Sequence, residues 1–183
     1  MKSQYLISAL AVLIWGIFLY GIIGHHNGSY ISPSGCLVTT IQETVRGVSM
    51  EPLIHDGDEL DVLNNYYTCW GEISRWDVVI LENSATHGPY VKVLRALPGD
   101  TVRINADGSV NIAWEIMKNS TGQIYIFDKN EQNFLSLYIH NDILQKDAYL
   151  VFWDNISSSR DSRKFGWVHV TSFLGKVVSK WVR

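Results

Sequence analysis

At 183 residues, 46% of them hydrophobic and 12% aromatic, the chain is of one-domain size with one well-filled core, and it is too apolar for bulk disorder. The formal charge of −3, from 15 basic and 18 acidic residues, is mild and comes without a block of like charges. Nothing in it points to nucleic acid as a partner.

The first element is "YLISALAVLIWGIFLYGIIG", residues 5–24, which contains no charged side chain. About 20 apolar residues at the helical rise cross a hydrocarbon layer roughly 30 Å thick, so this segment is expected to be a single spanning helix. The following "HHNGSYISPSG" offers no A-x-A-like site, which favours an uncleaved anchor over a removed leader. Lys2 precedes the helix with no acid beside it, an N-in arrangement by the positive-inside rule. The rest of the chain would then lie outside the cytoplasm. On this reading 1–24 is the anchor, 25–36 a linker, and 37–183 one extracytoplasmic domain. His25 and His26 are adjacent and without ligand partners, so they read as linker and no metal site is assigned. Cys36 and Cys69 share the outer compartment, where a disulfide and a pair of buried thiols are both open.

From Cys36 onward, short runs rich in Val, Ile, Thr, Tyr and Trp follow one another between turn residues: "CLVTTIQETV", "DELDVL", "WDVVIL", "YVKVLRA", "TVRI", "SVNIAW", "QIYIFD", "LSLYI", "AYLVFW", "GWVHV" and "GKVVSKWV". This predicts a mainly β, antiparallel domain. Asp107-Gly108 marks a two-residue hairpin and Asp56-Gly57 a second turn. The stretch 103–147 is the most irregular and polar, and is expected to be an elaboration on the core.

Two short motifs carry chemistry. In "RGVSMEPLIHDGD", Gly47 lets another backbone approach, Ser49 supplies a hydroxyl and Pro52 fixes the turn after it. In "YVKVLRALPGD", Lys92 lies inside an apolar strand. If its face is buried, desolvation lowers its pKa toward the range where a free amine accepts a proton from serine. No G-x-S-x-G elbow accompanies the scattered histidines, which leaves little support for a Ser-His-Asp hydrolase.

In order along the chain, the apolar anchor, "GVSMEPLIHDGD", "RWDVVIL", "YVKVLRALPGD" and "DNISSSRDSRKFGWV" together resemble the type I signal peptidase family of membrane-bound Ser/Lys proteases. The resemblance implies Ser49 as nucleophile and Lys92 as general base. It implies Ser159 as the hydroxyl that orients the amine, with Gly47, Asp154, Asn155, Asp161, Ser162 and Arg163 as the supporting shell and Asp161–Arg163 as an ion pair. Substrate would lie extended beside Thr40, Ile41, Gln42, Glu43 and Thr44 and near Met50, while Met50, Leu53 and Ile54 would touch lipid. The implied partners are preproteins with signal peptides, cut after small residues in an Ala-x-Ala-like pattern, and the bilayer of a bacterial cytoplasmic membrane; no cofactor is implied. A processing peptidase for conjugative pilus proteins and a non-catalytic peptide-binding relative are the alternatives. Four positions depart from the pattern. Trp153 stands where the family has glycine, Val93 where it has arginine, Trp76 interrupts the second motif, and Gly47 lacks the hydroxyl of some members. Loss of the arginine would rearrange the pairing of Asp161, with Arg95 as the available substitute, and Trp76 implies a changed turn.

Overall fold

The structure is a computed structural model that describes residues 28–82, 89–157 and 160–181. The expected spanning helix at 5–24 lies outside the described residues, as does Ser159. Among the described residues no helix is long and apolar enough to cross a membrane.

The body is a seven-stranded antiparallel sheet. Its strands in chain order are β1 (Ser29–Ile31), β2 (Leu37–Thr44), β3 (Glu59–Asn64), β4 (Val78–Leu81), β5 (Tyr90–Ala96), β11 (Leu150–Phe152) and β12 (Phe173–Trp181), and their spatial order is β1-β2-β3-β12-β4-β5-β11. The central strands are apolar on both faces because both faces are covered. Leu60, Val62, Ile80 and Val93 belong to one buried cluster, and Val79, Leu81, Leu94 and Val151 to the other. Alternation along each strand sends successive side chains to opposite clusters.

The stretch 103–147 corresponds to a lobe of β6 (Val102–Ile104), β7 (Val110–Ile112) and β8 (Glu115–Ile116), with the short pair β9 (Ile139–His140) and β10 (Ile143–Leu144). Its core of Val110, Ile112, Met117, Tyr125, Phe127, Leu135 and Leu144 is continuous with Ala96 of β5 and with Leu150 and Phe152 of β11. The lobe therefore shares a core with the sheet.

Several expectations are corrected here. The strand expected at "LSLYI" begins in α2 (Lys129–Ser136), which is started by a capping box: Glu131 N donates to Asp128 Oδ1 at 2.8 Å, and Asp128 N donates to Glu131 Oε2 at 3.0 Å. "QIYIFD" makes only single bridges, at Ile124 and Ile126, although Tyr125 and Phe127 turn inward as a strand pattern requires. "GWVHV" likewise makes one bridge, Val168 to Tyr149. Within the expected linker, β1 pairs with β2 from Ser29↔Thr39 to Ile31↔Leu37. The open question of Cys36 and Cys69 resolves as a disulfide with Cα atoms 5.3 Å apart, joining the start of β2 to the end of α1 (Tyr66–Cys69).

Candidate active site

The Ser49 loop leaves β2 and is closed at its base by Val45 N donating to Asp58 O at 2.9 Å and Gly57 N to Val45 O at 3.0 Å. Gly47 has φ +94°, a left-handed conformation that favours glycine, and its N–H donates to Asp56 Oδ1 at 2.7 Å. Between exposed Val48 and buried Met50, Ser49 is half-buried at the rim. Met50 and Ile54 are 1% and 2% exposed and pack with Leu60, Val62 and Val93. This corrects their expected contact with lipid and the expected contact of Met50 with substrate: both side chains anchor the loop to the sheet. The outward apolar residue is Val48.

Lys92 is fully buried. Its position on β5 opposite Val79 of β4 places it inside the sheet. Its amine lies 4.4 Å from the centroid of the Tyr90 ring and 4.4 Å from that of Trp153, and donates to Val91 O at 3.1 Å. Burial lowers its pKa from 10.5 to about 7, against the opposing pull of the Asp161 charge. Near neutral pH a large fraction of the amine is therefore free base. The burial on which a lowered lysine pKa depends is present.

The segment after β11 joins these parts. Asn155 N donates to Ser49 O at 3.0 Å, and Asn155 Nδ2 to Val48 O at 3.1 Å. Two residues earlier, Trp153 covers the lysine and packs against the cluster that contains Met50 and Val93. Asp154 accepts from Ser120 N at 2.8 Å and from the Ser120 hydroxyl, while its own carbonyl accepts from Asn119. Asp161, fully buried, is held by Arg163 through Nε at 2.9 Å and Nη2 at 2.8 Å, and accepts from Trp153 N at 3.3 Å. The expected ion pair is in place. Ser162 accepts from Val151 N at 2.9 Å, which ties α3 (Ser162–Phe165) to β11. Arg95 does not take the role considered for it beside Asp161: it donates to Lys118 O and stacks on Trp76 at 3.7 Å. Trp76 itself adopts φ +75°, a left-handed conformation that favours glycine.

Beside the loop, β2 pairs with β3 from Thr39 to Thr44, whereas β1 covers its other edge only from Leu37 to Thr39. Among the described residues no strand pairs with the second edge of Ile41, Gln42, Glu43 and Thr44, although Thr40 N is taken by Gly28 O. Gln42 spends its side chain on Asp61, so a chain laid along this edge would meet mainly backbone groups.

Some site residues escaped the sequence reading. Tyr90 had a signal, being two positions from Lys92 on a strand and so on the same face. Trp153 was marked only as a departure. Asp56 has a signal only as a turn residue, and Asn119, Ser120 and Tyr125 carry no local pattern that points to the site.

The family model for "Signal peptidase, peptidase S26" matches residues 34–182. The signal peptidase I of Bacillus amyloliquefaciens is 34% identical over 124 residues, 65% of this chain and 61% of that protein. Signal peptidase IB of Staphylococcus aureus is 28% identical over 148 residues, 73% of each chain. The chain spans 61–64% of the length of the Bacillus relatives it matches. A crystal structure of a signal peptidase I from Enterococcus faecalis superposes with a TM-score of 0.40 at 21% identity, covering 59% of this chain and 97% of that one. With a family match over residues 34–182, the chain belongs to the signal peptidase, peptidase S26, family.

Proposed function

We propose that the chain is a membrane-anchored serine endopeptidase that removes N-terminal signal peptides from exported preproteins. Lys92, as free amine, accepts the Ser49 proton while Ser49 Oγ attacks the scissile carbonyl carbon. The C–N bond then breaks, the new amine leaves with the proton, and an acyl-enzyme remains. Water attacks the ester with Lys92 again as base, releasing the acid and regenerating Ser49. Ser159 orients the amine, and the Ser49 N–H faces the developing oxyanion. The substrate adds as an extended strand along Ile41–Thr44 and is cut after a small residue. The 5–24 segment holds the domain at the outer face of a bacterial cytoplasmic membrane.

The observation that carries this reading is the buried Lys92 amine, lowered to about 7 by desolvation, on a strand that packs against the anchor residue of the Ser49 loop. The names of the relatives supply the substrate class. The test is cleavage of a signal-peptide-bearing preprotein by the detergent-solubilised chain. Cutting after a small residue that is lost in both Ser49→Ala and Lys92→Ala supports the mechanism; cutting that survives either substitution refutes it.

A further inference from the structure

Trp153 stands one residue beyond Phe152, the last residue of β11 paired with β5 through Val93. Val93 is the chain neighbour of Lys92, so Trp153 leaves β11 close to the lysine. The indole uses that closeness. Its ring lies 4.4 Å from the amine, on which Tyr90 also closes. The backbone of Trp153 is fixed at both ends, its N–H by Asp161 and its carbonyl by the Tyr125 hydroxyl. The indole N–H, by contrast, is buried with no hydrogen-bond partner among the described residues. A buried unpaired N–H is a cost to the fold, so the polar edge of the ring is not what holds it in place.

We propose that Trp153 is a positioning residue for Lys92: its ring face seals the amine from water and holds it against the Ser49 loop, a task done in this chain by a side chain where its family pattern has none. The inference rests on Lys92 being the base. The groups that face the amine leave few other ways to set its charge. Asp161 is the carboxylate acting on it, already shared with Arg163, Tyr90 offers a phenol ring on its own strand, and β4 places Val79 opposite. Burial is the largest influence on the amine, and the indole is one of the two ring walls that supply it.

The test reads Lys92 directly, so that it does not depend on catalysis. The full chain in detergent, labelled with 13C at lysine Cε, is titrated by NMR, with the Lys92 signal identified by its loss in Lys92→Met. Trp153→Gly is expected to raise the Lys92 midpoint by about one pH unit or more, since water then reaches the ammonium, and Trp153→Phe to hold it within about 0.3 unit. In the cleavage assay the acidic limb of kcat should move up with it in Trp153→Gly. A midpoint that stays put or falls in folded Trp153→Gly overturns the proposal. Should Trp153→Gly not fold, the emission difference between wild type and Trp153→Phe is followed against pH: it should titrate with the Lys92 midpoint and lose that step in a Lys92→Met background. A flat difference, or a step that survives Lys92→Met, overturns the proposal. Failure of the proposed function looks different, as absence of cleavage by wild type or its persistence in Lys92→Met.

Discussion

The Ser49 loop and the 102–144 lobe both attach to the segment 153–155, the loop at Trp153 and Asn155 and the lobe at Trp153 and Asp154, yet they are attached by different means. The lobe is bound by side chains on both sides: Ser120 and Asn119 reach Asp154, Tyr125 reaches the carbonyl of Trp153, and a continuous core runs beneath. The loop is bound by Met50 from below and by Asn155 from the side. Redundant anchoring of the lobe makes it a fixed wall. Farther along the loop Lys180 Nζ donates to Leu53 O, but at Val48 and Ser49 the lateral hydrogen bonds come from Asn155, so the geometry around the nucleophile is open to adjustment through that residue.

Substitutions break that comparison in graded steps. Asp161 serves both regions through Trp153, and Asp161→Ala leaves the buried Arg163 guanidinium without its carboxylate. We expect a loss of about 3–5 kcal/mol in denaturant unfolding, as for other broken buried pairs, and loss of cleavage with it.

Lys92→Met should act the other way on stability. The folded pKa of about 7 lies below the ordinary value of 10.5, so between these limits the unfolded chain holds a proton that the folded chain lacks. Stability therefore rises with pH across the window, and the full penalty for burying the charge is felt below it. Removing the amine should stabilise the protein by roughly 2–4 kcal/mol at pH 6 and flatten the slope between pH 7 and 10, read by unfolding at several pH values. A variant that is inactive but more stable is the signature of a functional group placed against the interests of the fold.

Asp154→Ala tests the lobe side. It removes the acceptor of two Ser120 bonds and should cost about 2 kcal/mol, with activity falling in proportion to the folded fraction because the shared core still holds the lobe.

How much of this was legible in the chain depends on the range of the interaction. The strands β2 to β5 and β12 follow from alternation and turn residues. Lys92 lies in such a strand, but its burial depends on Trp153 arriving from a strand over fifty positions later, which no local pattern encodes; only the ordered motifs of the resemblance pointed to it. α2 is legible in the Asp128-x-x-Glu131 box that starts it, a signal that the strand expectation for "LSLYI" does not take into account. Met50 follows serine in a motif and so suggested a site residue. Its burial is decided by the sheet behind it. The Cys36–Cys69 bond joins residues separated by 33 positions, and composition alone left it undecided.

The smallest stability effect should come with a disproportionate loss of rate. Asn155→Ala deletes the Nδ2 bond to Val48 O, at 3.1 Å, and the bond from Ser157 N to Oδ1, at 3.2 Å, both near the surface, while its backbone bond to Ser49 O remains. A net cost of about 1 kcal/mol or less is expected in unfolding. The Val48 bond nevertheless restrains the residue beside the nucleophile, and small displacements of a reacting group, on the order of 1 Å, lower rates by about a hundredfold. We expect kcat to fall at least tenfold with KM nearly unchanged, since the β2 edge that would hold substrate is untouched. If Asn155→Ala instead loses stability and rate in the same proportion as Asp154→Ala, the loop is no more adjustable than the lobe, and the contrast between the two attachments fails.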